Sequence, residues 1–197
     1  MHRHSLLFRQ LRHRRSAYGK KLLTAGNGKN LPKRRITMNE NDIIQAKNVF
    51  EMAKSALDDN KWKYDHNDEK MWISCTANSD DLPIDIFVQV FPKNQLIVLT
   101  SRIPVKVPEE KMVDAALAVA MINSNIADGS FDLDIYKGVL EFRMTGCFLE
   151  SLVSRGFFDY MMVYALKVVD EYNDKLFALV KGYMDINKFA EQFTDNN

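Results

Sequence analysis

The architecture turns on residues 84–101, which read Ile84-Asp85-Ile86-Phe87-Val88-Gln89-Val90-Phe91, then Pro92-Lys93-Asn94, then Gln95-Leu96-Ile97-Val98-Leu99-Thr100-Ser101. Side chains alternate along a strand, so Ile84, Ile86, Val88 and Val90 share one face, and Phe87 and Phe91 share the other with Asp85 and Gln89. A strand apolar on both faces needs cover on both. The Pro92-Lys93-Asn94 turn returns the chain into a second apolar run, which predicts an antiparallel pair. Phe87 and Phe91, with Ile97 or Leu99 on the neighbouring strand, are the candidate protein-interface residues.

Working upstream, Trp62 with Tyr64 and the run Met71 to Ala77 give two further extended segments, separated by a polar turn over Asp65 to Lys70. Before them Ile43, Ala46, Phe50, Ala53 and Leu57 recur at helical spacing, with Asn39 or Asn41 available as the cap and Asp58-Asp59-Asn60 as the stop. Downstream, Pro108-Glu109-Glu110 opens a second helix to about Ile126, expected to bury Met112, Val113, Ala116, Val119, Ala120 and Asn123 or their neighbours. Asp128-Gly129 ends it. A hairpin follows, with Phe131, Leu133 and Ile135 alternating with Asp132, Asp134 and Tyr136, a turn at Lys137-Gly138, and Leu140, Phe142 and Met144 on one face of the return strand. A long helix spans about Phe157 to Lys181 and closes at Gly182. Asp185 caps a short terminal helix to Phe193, and residues 194–197 are expected to fray. The order α-β-β-β-β-α-β-β-α predicts an α+β fold, with helices packed on a mostly antiparallel curved sheet.

Charge divides the chain of 197 residues. Of its 27 Lys and Arg, eleven lie in residues 1–37, which hold no Asp or Glu, so the remainder carries 16 basic against 26 acidic side chains. A +11 segment is thus joined to a −10 domain. Residues 1–37 lack a periodic apolar face and read as a disordered basic arm; translation upstream of a start at Met38, a binding arm and an organellar targeting segment are all open. Their removal is expected to leave the melting transition almost unchanged. Residues 38–184 form the domain, and 185–197 the terminal helix and tail. No apolar run reaches membrane-spanning length, and Leu6-Leu7-Phe8 is too short for a secretory core. Cys75 and Cys147, far apart in strand-like runs, read as reduced buried thiols of a cytoplasmic protein.

Chemistry-bearing patterns are sparse. Asp128, Asp132 and Asp134 invite a calcium reading, but an EF-hand loop counted from Asp128 would need Gly at Leu133 and Glu at Val139, so they read as a solvated strand face. His66 in a polar turn beside Asp65 and Asp68 has no marked nucleophile partner. Gly26 and Gly28 lack the third glycine of a dinucleotide loop. Nucleic acid is expected to bind only nonspecifically, through residues 1–37, because the acidic domain repels phosphate. Methionines such as Met112, Met121, Met144, Met161, Met162 and Met184 fill a core by default, or line an adaptable groove. No catalytic residue, cofactor or metal site is expected.

A further set of residues carries a likeness. Trp62 and Tyr64 open the sheet; Leu99-Thr100-Ser101-Arg102-Ile103-Pro104 leads to Val107-Pro108-Glu109-Glu110; then come Ile122-Asn123, Gly129-Ser130-Phe131-Asp132-Leu133-Asp134, Gly138 with Glu141-Phe142-Arg143, and Asp170-Glu171-Tyr172. In this order they resemble the YbjN family of candidate bacterial sensory transduction regulators, over roughly residues 40 to 183. The resemblance implies a fold related to type III secretion chaperones and brings no catalytic signature. Together with the strand Ile84 to Phe91, apolar on both faces, it points to a non-enzymatic regulator of signalling or stress response that acts through a protein partner or as a homodimer, and no membrane association is expected. The alternative is a secretion-type chaperone holding an extended client protein.

Overall fold

The structure is a computed structural model that describes residues 39–78, 82–151 and 153–193; the expectations for residues 1–37, the boundary at Met38 and the tail 194–197 lie outside these. Helix α1 (Glu40–Asp59) begins at a reciprocal cap in which Asn39 Oδ1 accepts from the Asp42 amide and the Asp42 carboxylate accepts from the Asn39 amide. Four strands follow: β1 (Tyr64–Asn67), β2 (Trp72–Ala77), β3 (Ile84–Phe91) and β4 (Leu96–Lys106). A 3-10 turn, Glu109–Lys111, leads into α2 (Met112–Asn125), then the hairpin β5 (Ser130–Asp134) and β6 (Val139–Cys147). Helices α3 (Arg155–Lys181) and α4 (Ile186–Glu191) complete the order. The fold is α+β.

The strands form one six-stranded sheet, β1-β2-β3-β4-β6-β5, antiparallel at every pair. Helix α3 lies across β4 and β6, α1 packs on β3 and α3, and α2 on β5. Beneath them Ile86, Val88, Ile97, Leu99, Leu140 and Phe142 are buried, as the period of two requires. Met144, Met161 and Met162 are buried and Met112, Met121 and Met184 pack against the core, so these methionines fill it. Helix α3, capped by Ser154, begins two residues ahead of the expected start at Phe157, and Gly182 ends it in the left-handed conformation. Asp185 caps α4, whose Phe189 is buried. Cys147, expected to be buried like Cys75, is exposed at the end of β6 because it alternates with Gly146 and Phe148 on the helix side, and four further expectations need correction.

The segment Asp65 to Asn67 is strand, not turn: it pairs with Ser74 to Trp72, and the bend moves to residues 68–71, where Asn67 Oδ1 accepts from the Lys70 amide. Charged residues suit an edge strand, so polarity was a poor guide there. Strand β4 continues beyond Ser101 through Pro104 to Lys106, because the β4–β6 register shifts between Arg102 and Lys106 and spares the proline a ladder bond. Ile135 leaves β5 and is exposed with Tyr136 in the turn.

Helix α2 also presents a different face. Ala115, Ala118 and Ile122 are buried, whereas Val113 is 66 % and Leu117 46 % exposed, with Ala116 and Ala120 exposed beside them. The helix is apolar nearly all round, so periodicity selects no face; small residues turn toward the core because they permit close approach.

Candidate functional site

The face of the sheet opposite the helices is bare among the described residues, and the register maps it. Phe91, Leu96 and Cys147 lie in one row across β3, β4 and β6. The next row is Trp72, Gln89, Val98 and Thr145; the third is Ser74, Phe87, Thr100 and Arg143. One step further along, Thr76 faces Asp85 and Arg102 faces Glu141. Phe87 is 38 % and Phe91 37 % exposed, and Trp72 joins them through a tilted ring contact with Phe87 at 5.8 Å. Apolar rows thus meet a charged row. There Thr76 Oγ1 donates to Asp85 at 2.7 Å, and Asp132, opposite Glu141, accepts from Nε of Arg143 in the third row at 2.6 Å.

Of the four candidate residues, Phe87 and Phe91 stand on this face and Ile97 and Leu99 do not. Both of the latter are 0 % exposed, under the helices. Their places are taken by Leu96 and Val98, half-buried and opposite Phe91 and Gln89. Parity across the turn is the reason. Phe91 pairs with Leu96 around the four residues Pro92 to Gln95, and a connection one residue shorter or longer would exchange the two sets. Gln95 holds that length: it sits at φ 53°, is buried, and donates from Nε2 to the carbonyls of Pro92 at 2.6 Å and Asp42 at 3.1 Å. Trp72 was also missed as a surface residue. Its alternation with buried Ile73 and Cys75 is the signal that marks it.

The acids that suggested calcium are dispersed among protein partners. Asp132 binds Arg143; Asp134 accepts from the Tyr136 and Lys137 amides and pairs with Lys137 Nζ at 3.2 Å; Asp128 receives the Gly129 amide and the Tyr160 hydroxyl. The Lys137 side chain, then the Tyr136 amide, holds the Asp134 carboxyl below its ordinary range. Among the described residues no group of three His, Cys, Asp or Glu is placed to hold a metal ion. His66, exposed on β1, lies 3.6 Å from Asp68 and beside the ring of Tyr64. A cavity of about 390 Å³ beside α2 and α3 is lined in part by Tyr164, Lys167, Glu171 and Lys175. Burial, then Glu171, pushes the neighbouring Tyr172 hydroxyl up to about 12, which keeps it neutral and unsuited to act as a base. No helix among the described residues is long and apolar enough to cross a membrane.

No protein family description matches the sequence, and no curated protein does. Among solved structures, the chain is similar to YbjN of E. coli, described as a candidate transcription regulator, with 13 % identity and a TM-score of 0.47 over 64 % of this chain and 92 % of that one. It is similar also to the ExsC–ExsE complex, with 11 % identity and a TM-score of 0.49 over 66 % of this chain and 95 % of the matched chain.

Proposed function

We propose that the chain is a non-enzymatic protein-binding module that docks a protein on the bare face of its sheet. The observation that carries this reading is the contiguous apolar surface of Trp72, Phe87, Phe91, Leu96 and Val98 on a face that no helix covers among the described residues. Large aromatic side chains exposed together on a two-layer fold are the usual anchors of protein contacts. The residues quoted above as YbjN-like favour a regulator of signalling or stress response. Free cysteines, with Cys147 exposed, suit the reducing cytoplasm.

A secretion-type chaperone is the second reading, favoured by the additional apolar surface of Val113 and Leu117 on α2, which offers an extended client another contact. Wild type and Phe87→Asp used side by side as bait test the first reading. Proteins recovered by the wild type and lost by a variant of unchanged circular dichroism support it; identical recoveries sink it. A recovered polypeptide that is protease-sensitive along its length selects the chaperone reading.

A further inference from the structure

The cavity of about 390 Å³ on the helix side is walled by the end of α2, the second half of α3 and the two residues that follow α4. Its volume suits a small molecule. Tyr164, Lys167, Glu171 and Lys175 recur at three- and four-residue spacing, so one stripe of α3 faces it. Contacts within the protein hold the walls. Tyr164 Oη accepts from the Ala127 and Asp128 amides at 2.8 and 3.0 Å, which ties the chain leaving α2 to α3. Buried Tyr172 stacks on Phe193, with ring centres 6.2 Å apart and planes within 11°. The tyrosines are thus engaged, but the charges are not. Lys167, Glu171 and Lys175 make no ion pair among the described residues, although their spacing would let both lysines reach the glutamate. Lys175, half-buried, holds its Nζ 5.3 Å from the centre of the Tyr172 ring, and Lys167 is exposed.

We infer that this cavity is a binding site for a free α-amino acid with an apolar side chain. Charge selects the zwitterion. Along α3 the lining reads positive, negative, positive at Lys167, Glu171 and Lys175, with backbone positions about 6 Å apart. Asn125 ends α2 and Ile126 caps it, so the last carbonyls of that helix add partial negative charge to the opposite wall. A simple anion would meet Glu171 and those carbonyls, and a simple cation would meet both lysines. A carboxylate and an ammonium on one carbon satisfy neighbouring positions together: the carboxylate beside Lys175, the ammonium between Glu171 and the end of α2. The side chain then turns toward Val168, Tyr172 and Phe193, the apolar part of the lining. None of these residues belongs to the bare sheet face, so an amino acid and a docked protein can be held at once.

The test titrates the full-length chain with L-phenylalanine, L-leucine, N-acetyl-L-phenylalanine and L-phenylalaninamide, read by calorimetry and by amide chemical shifts. A free amino acid is expected to saturate one site and to shift the amides of residues 164–175. The acetyl derivative lacks the ammonium and the amide lacks the carboxylate, so each binds about tenfold or more weakly than L-phenylalanine. Lys175→Met is expected to remove the preference over the amide, and Glu171→Gln the preference over the acetyl derivative. Glu171 is exposed and Lys175 half-buried, so both variants fold, and circular dichroism checks this. Absence of saturable binding by both L-phenylalanine and L-leucine overturns the inference. Equal binding of the acetyl derivative also does so, because the site then takes a plain anion. Full affinity and unchanged preferences in both variants place any binding elsewhere and overturn it too. Each of these failures leaves protein docking on the sheet face standing, since that reading is decided by the Phe87→Asp bait.

Discussion

The carboxamide of Asn123 on α2 brackets the main chain of Phe131 on β5: its Nδ2 donates to the Phe131 carbonyl at 3.0 Å, and its Oδ1 accepts from the Phe131 amide at 2.8 Å. Strand β5 is the outermost strand at its end of the sheet. One side chain therefore supplies the two bonds that a further strand would make there, and it ties the helix layer to the sheet edge. Unpaired edge groups invite pairing with other chains, so this contact also closes a route to aggregation.

Asn123→Asp retains an acceptor for the amide but sets a carboxylate against the Phe131 carbonyl. The loss of one bond and the new repulsion are expected to lower stability by about 1–3 kcal/mol, read as a shift in the urea midpoint. An unchanged midpoint would show that the bracket is incidental.

Two left-handed glycines should respond differently to alanine. A Cβ at Gly138 (φ 66°) would collide with the main-chain carbonyl oxygen of Val107, whereas at Gly182 (φ 79°) it meets nothing within 4 Å. Gly182→Ala is expected to cost about 1–2 kcal/mol for its conformation alone, and Gly138→Ala about 3 kcal/mol or more, since backbone must also shift. Thermal melts of the two variants rank them; equal losses contradict the packing at Gly138.

The two faces of the sheet predict opposite mutational costs. Ile97→Ala should lower stability by about 2–5 kcal/mol, because it opens a hole under α3. Phe87→Ser on the bare face should cost less than about 1 kcal/mol in the monomer, measured at protein concentrations low enough to suppress association. The reverse ranking would move the core to the other side of the sheet.

Burial first, then the Asp85 carboxylate, pushes the Cys75 thiol from 9.0 up to about 11. The folded chain thus holds this proton more tightly than the unfolded chain. The resulting stabilisation is complete below pH 9 and is lost as pH rises toward 11. In a Cys147→Ser background, Cys75→Ala should flatten this alkaline decline, and a thiol reagent should find Cys75 only after denaturant is added. Rapid labelling of native Cys75 contradicts its placement in the core.

How legible these features were depended on whether one segment held the whole signal. The strand alternation of Ile84 to Phe91, the apolar stripe from Ala46 to Leu57, the Asp185 cap and the Gly182 stop are each complete within a few residues, and each is present. The face of α2 is not such a signal. Its apolar positions surround the helix, and only the fit of Ala115 and Ala118 against the packed layers selects one side. Nor did the polar run Asp65 to Asn67 announce a strand, because an edge strand tolerates charge and takes its bonds from a single neighbour.

The candidate surface divides along the same line. Residues 84–91 alone establish that a strand is apolar on both faces, since the period of two is local and needs no partner. Which residues of the next strand stand beside Phe87 and Phe91 is a matter of register across the turn. That register exists only once Gln95 bonds Asp42 of α1, Phe91 pairs with Leu96, and α3 closes over Ile97 and Leu99. A shift of one residue would exchange Leu96 and Val98 with Ile97 and Leu99 at little local cost. The buried layer beneath the helices sets the choice, because it gains from branched side chains filling its volume and loses from every polar atom left there unpaired.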